Sequence, residues 1–370
     1  MNAGNEFIEC VKKGSTKPFV SLQIGAGAGF DVKLAGKQWN SQGTLDDTIR
    51  AYEIVGGFPL FNIGLPGLEQ LAPDLPYETE NSETEGEKFT NTHLETPFGQ
   101  LDWKFHELPK IGTMIMKYPV TVDDNENAFN MIKWFADQHY KYKDRVADKI
   151  QPDVDKLKNH GPVSLQWNIQ PFELFGLTSV DNLVLLAKLY PEQFRQTCDH
   201  IRDINAALLE EVFKTDVDFV FLGAPGSEML SPEFYEKYII PDSQKLTDVV
   251  HGCGRLIYSH ICSPIEPFLT MGFYNQMGLD LFETFSPPPV GNVESIEKAR
   301  EIMDDNICTR GNIGLDLLLN GSKEQVAQAT LDLCEATKGT KHMIAASDYL
   351  FYDIPLENVQ TMVETAENFK

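Results

Sequence analysis

His260 and Cys262 stand one residue apart in the run YSHICSP, so in an extended segment both side chains point the same way. They would present an imidazole nitrogen and a sulfur together, a donor pair that suits zinc. A catalytic zinc site takes three protein ligands and keeps one position open, and Asp348, in AASDYL, offers an oxygen as the third. Zinc held this way would lower the pKa of a bound thiol and supply a nucleophile near neutral pH. An H-x-C pair is also what a buried cysteine beside a hydrogen-bonded histidine looks like, so the residues alone leave both readings open.

Five further residues could serve such a centre. Gln23, Asn168 and Thr284 are candidates for substrate contacts, and Glu228 and Asn312 for groups that act on or position the substrate. Gln23 is followed by GAGAGF, Gly25 to Phe30, whose alternating glycines miss the G-x-G-x-x-G spacing of a dinucleotide loop. A tight turn that lets substrate or a lid approach the backbone is the better reading. His251 and Cys253, in HGCGR, precede a strand and fall at the opposite end, and Cys198, Cys308 and Cys334 read as structural.

These residues gain meaning from the elements that would carry them. Eight short apolar runs, bounded by Gly, Pro or polar residues, read as buried parallel strands: 18–24, 58–63, 162–168, 217–223, 255–260, 278–284, 306–312 and 341–347. Helical patterns lie between them, among them Asn182 to Leu189, Pro191 to Glu211, a start at Ser231-Pro232-Glu233, another at Ser322, and a last one from Leu356 to Phe369. Eight such strands close a parallel barrel, so the expected fold is α/β, a (β/α)8 TIM-type barrel, with an open doubly wound sheet as the alternative. In a barrel the loops after the strands form the active site, and every candidate above sits at a strand end. The irregular stretch from about 74 to 120 holds an acidic run, ETENSETEGE, and alternating segments such as THLETPFGQLDWKF. It reads as a β-hairpin insertion after the second strand, turning at Pro97-Phe98-Gly99 and serving as a lid or contact surface. The whole chain, 1–370, is then one barrel domain.

The totals exclude several classes of function. Acidic residues outnumber basic ones by 55 to 31, a net charge of −24 that repels nucleic acid and anionic membranes. No leader-like apolar run opens MNAGNEFIECVKKG and no span crosses a bilayer, so a cytoplasmic location is expected. Six dispersed cysteines suit free thiols.

GSEMLSPEFYEKYIIPDSQKL, YSHICSPIEPFLTMG, FETFSPPPVGNV, RGNIGLDLLLNGSKEQV and DIPLENVQTMVE together resemble the uroporphyrinogen decarboxylase superfamily over most of the chain. Its cobamide-dependent methyltransferase branch is the nearer match, with ETPFGQL and MKYPVTVDDNENAFNMIKW resembling that branch's inserted region. True decarboxylases carry an arginine-rich N-terminal motif to pair substrate carboxylates, and this chain has no Arg before Arg50. The resemblance implies zinc on a His-x-Cys plus a later cysteine, matched by His260 and Cys262, with Asp348 standing where the later Cys is expected. It also implies methyl transfer between a methylcobamide on a separate corrinoid protein and a small acceptor, tetrahydrofolate or a thiol. The alternatives are a lyase or demethylase acting on a carboxylated or methoxylated small molecule, and a non-catalytic binding partner of a corrinoid protein. Oligomeric state stays open, a homodimer among the options.

Overall fold

A computed structural model describes residues 3–39, 41–108 and 113–370. Residues 109–112 of the inserted region lie outside the described residues. The chain forms two compact units, one built from Met1–Gly64, Ile150–Asn168 and Thr215–Lys370, the other from Leu65–Lys149 and Ile169–Lys214.

The first unit is a TIM-type α/β fold. Its parallel strands are β1 (Phe19–Val20), β2 (Phe61–Ile63), β7 (Val163–Leu165), β8 (Phe219–Phe221), β9 (Leu256–His260), β10 (Leu281–Glu283), β11 (Cys308–Ile313) and β12 (His342–Ala346). All eight expected strands are present, each inside or within one residue of its predicted run. They form one curled sheet in the order β1-β12-β11-β10-β9-β8-β7-β2. At the seam between β1 and β2 the Phe58 amide donates to the Val20 carbonyl at 2.8 Å.

One end of this sheet is plugged. Helix α1 (Ala3–Lys13) buries Phe7, Cys10 and Val11 against Phe19, Phe219, Leu256, Leu281, Cys308 and Met343, all at or near the first residues of their strands. Apolar side chains therefore fill the N-terminal end, and the polar candidates are left to the C-terminal end. The buried imidazole of β12 is satisfied locally. His342 receives a hydrogen bond from the Thr309 hydroxyl at Nδ1, 2.8 Å, and donates from Nε2 to the Gly311 carbonyl, 2.9 Å.

The second unit carries the insertion, which is larger than a hairpin. β3 (Tyr77–Thr84), β4 (Glu87–Thr96), β5 (Gly99–Leu108) and β6 (Thr113–Lys117) form a four-stranded antiparallel meander. Pro97 and Phe98 make the expected turn between β4 and β5, where the Thr96 hydroxyl donates to the Gly99 carbonyl at 2.7 Å. The turn between β3 and β4 uses Glu85 and Gly86, both with positive φ (55° and 81°), as a two-residue type I′ connection requires. One sheet face buries Leu94 and Leu101, directly paired, and sets Trp103 6.0 Å from Phe135 of the helix Glu126–Lys141. Among the described residues no helix is long and apolar enough to cross a membrane.

Each unit hides a histidine that burial keeps neutral. Burial pushes His342 down to about 3 and His139, in the second unit, down to about 4. In the unfolded chain an imidazole takes up a proton at about pH 6.5. Below that pH the unfolded state binds more protons, so stability present above 6.5 is lost as pH falls toward 4 and 3. Each group contributes a slope of about 1.4 kcal/mol per pH unit over its window. Denaturant unfolding between pH 7 and 4 is expected to show this loss, with a shallower slope in His342→Gln; an unchanged slope would refute the assignment.

Candidate functional site

The last residues of β9 and β10 and the loop after β12 meet at the C-terminal end of the first unit. His260 closes β9 and pairs in register with Glu283, which closes β10. Donor atoms of His260, Cys262 and Asp348 all lie within 4.8 Å of one another. His260 Nε2 is 3.2 Å from Asp348 Oδ1, and each of those side chains keeps 14% of its surface exposed. An edge of about 3.3 Å is what a tetrahedral zinc with bonds near 2.0 Å requires between nitrogen and oxygen ligands. The thiol of Cys262 is free and half-buried. Nitrogen, sulfur and oxygen donors at this spacing fit zinc, with one coordination position left over.

Glu283 orients the imidazole. His260 Nδ1–H donates to Glu283 Oε1 at 3.0 Å, which turns Nε2 toward Cys262 and Asp348. Burial alone would lower the pKa of His260, but hydrogen bonds to Asp348, Cys262 and Glu283 hold it well above its usual value. Burial alone would likewise raise Glu283, yet the Arg310 guanidinium and His260 keep its carboxyl below the usual range. Arg310 meets the Glu283 carboxylate through Nε and a second guanidinium nitrogen, and donates to the Ser21 hydroxyl at 3.0 Å. Both members of that pair are almost fully buried.

A second polar chain approaches from β2. The Tyr258 hydroxyl donates to Asn62 Oδ1 at 3.3 Å, and Asn62 Nδ2 donates to the Tyr349 hydroxyl at 2.7 Å. The Tyr349 ring lies 5.3 Å from that of His260. Tyr349 accepts from Asn62, so its own proton stays available to donate, and burial keeps that phenol protonated. The Tyr349 amide also donates to Asp348 Oδ1 at 2.6 Å, fixing the aspartate's orientation.

The remaining sequence candidates are placed as follows. Gln23 is buried beyond β1 with its amide beside the Glu283 carboxylate, whose charged form it favours. Asn168 accepts from the Gly223 amide at 2.8 Å, and a Cβ at Gly223 would come within 2.3 Å of its nitrogen. Thr284 is fully buried, its hydroxyl engaged by the Ile261 carbonyl (3.2 Å) and Ser286 (2.7 Å), so it braces the wall of the unit. Asn312 is half-buried in β11 and donates to the Phe285 carbonyl at 3.1 Å. Glu228 is exposed on a loop that rests on the segment after Cys262, where the Ser227 amide donates to the Pro264 carbonyl at 2.8 Å. Glu283, Arg310, Asn62 and Tyr349 were not candidates from the sequence.

The family described as "Uroporphyrinogen decarboxylase (URO-D)" matches residues 171–369, more than half of the chain. A methylcobamide:CoM methyltransferase of Methanosarcina acetivorans is 24% identical over 212 residues, covering 57% of this chain and 57% of its own. The chain thus matches little more than half the length of that relative. A uroporphyrinogen decarboxylase of Coxiella burnetii is 23% identical over 278 residues, 71% of this chain and 72% of that protein. The solved structure of a methyltransferase from Methanosarcina mazei aligns over 99% of this chain and 98% of its own, with a TM-score of 0.61 and 15% identity, a likeness of fold.

Proposed function

Since the chain belongs to the uroporphyrinogen decarboxylase family, whose members are enzymes, we propose that it transfers a methyl group between a methylcobamide on a separate corrinoid protein and a small acceptor. The observation that carries this reading is the cluster of His260, Cys262 and Asp348, one nitrogen, one sulfur and one oxygen gathered at the strand ends. These three residues would hold zinc. Bound there, the metal supplies a Lewis acid and a template for the acceptor, tetrahydrofolate or a thiol.

The chain's own residues do the rest. Glu283 takes the hydrogen bond from His260 Nδ1 and keeps Nε2 facing the metal position. Asn62 fixes Tyr349, which presents a protonated hydroxyl beside the cluster. Gln23, Asn168 and Thr284 are proposed to shape the substrate's surroundings, and Glu228 and Asn312 to position it, Glu228 from an exposed loop.

A second reading, a decarboxylase-like lyase or a demethylase, draws on the longer match to a uroporphyrinogen decarboxylase. A substrate rich in carboxylates needs unpaired arginines, and Arg310, the arginine beside the cluster, is committed to Glu283 and Ser21. Methyl transfer is the better supported. Incubating the protein with methylcobalamin and either tetrahydrofolate or a thiol, and following loss of the methyl-cobalt absorbance, is expected to show turnover that a chelator abolishes and added zinc restores. Activity toward a carboxylated or methoxylated substrate that survives chelation would establish the second reading instead.

A further inference from the structure

The loop after β1 walls a cavity of about 500 Å3 within the first unit, inside the size range of small-ligand sites. Gly25, Ala26, Gly27 and Gly29 form one side, Trp39 and Phe61 supply aromatic surface, and Asp31 and Asp153 supply charge. Among the described residues that line it there is no Lys, Arg or His. An anionic ligand would meet two carboxylates and no counter-charge there.

Asp31 is the informative residue. It is 4% exposed, and its carboxylate takes hydrogen bonds from the Thr48 hydroxyl (2.7 Å) and the Val32 amide (3.0 Å). Among the described residues no cation pairs with it. The two nearest lysines along the chain are occupied elsewhere, Lys33 on the Ile354 carbonyl (2.8 Å) and Lys37 on Asp47 (2.5 Å). A carboxylate this deeply buried is ordinarily paired, since desolvation without a counter-charge is costly. Here its surroundings open instead onto a cavity with an indole at the rim, Trp39 being half exposed. A carboxylate and an aromatic face in one pocket are the two groups that recognise an alkylammonium, one by charge and the other through cation–π attraction and contact with the alkyl groups.

We propose that this cavity is a binding site for a small organic cation, an alkylammonium, with its charge against Asp31 and its substituents against Trp39. The site adjoins the His260 cluster, because Asn62 lines the cavity and also bonds to Tyr349. It does not depend on zinc or on methyl transfer.

Calorimetric titration of the full-length chain with tetramethylammonium chloride tests this, with sodium acetate and sodium chloride as matched controls. Saturable binding of tetramethylammonium alone is expected, weakened about tenfold or more in Asp31→Asn and severalfold in Trp39→Ala, in line with the loss of one ionic and one cation–π contact. Trp39 is at the surface, so Trp39→Ala remains informative if Asp31→Asn fails to fold. Absence of saturable binding to the wild-type chain would overturn the proposal. So would equal binding by both variants, preference for acetate, or displacement by sodium at equal concentration.

Discussion

Replacing His260 with alanine is expected to leave the purified protein with less than about one tenth of the zinc carried by the wild-type chain. The substitution removes one of three donors and also the ring that Glu283 holds in place. Loss of an outer partner alone typically weakens a metal site about 10- to 100-fold, and loss of a direct ligand exceeds that. Metal analysis after dialysis of both proteins measures it, and near-stoichiometric zinc in both would dismiss the assignment. Asp348→Cys is the counterpart. A thiolate in place of the carboxylate is a softer, more electron-donating ligand, so this variant is expected to retain zinc against a chelator longer than wild type.

Arg310→Met is expected to destabilise the first unit by about 3–5 kcal/mol, the range for breaking a buried ion pair on one side. The cause is Glu283, left fully buried with its charge met only by His260. Urea unfolding gives the magnitude. The double variant Arg310→Met/Glu283→Met should recover much of that loss, because no orphaned charge remains. Zinc affinity in the double variant should stay low, since His260 then lacks the acceptor that fixes its ring. A single variant as stable as wild type would show that the pair does not hold the barrel wall together.

The strands were legible because burial on both faces leaves apolar runs such as VDFVFLG and RLIYSH that polar loops interrupt. Strand ends then indicated where chemistry belongs, and His260 and Asp348 fall there, 3.2 Å apart. The Glu283–Arg310 pair was not legible. Glu283 ends β10 and Arg310 sits inside β11, 27 positions apart, and only the register between the two strands makes them neighbours. Asn62 and Tyr349 escaped for the same reason, since 287 residues separate them and no local spacing marks the contact. The local partners of Thr284 were equally hidden. A hydroxyl at a strand end invites a substrate role, while the chain turns it onto Ile261 and Ser286. The meander was read as one hairpin because the tight turn at Glu85-Gly86 lacks the Asn-Gly or Asp-Gly signature that marks such connections.

The pairing of β1 with β12, Phe19 opposite Met343 and Val20 opposite Ile344, joins segments separated by more than 300 residues. During synthesis, therefore, the first strand emerges from the ribosome long before its hydrogen-bonding partner exists, and the apolar face of α1 must wait with it. Asp348 comes later still, so no chain stalled before it holds a finished ligand set. A chain stalled before β12 leaves β1 without that neighbour, and only once the strand has emerged can the sheet and the three donors come together.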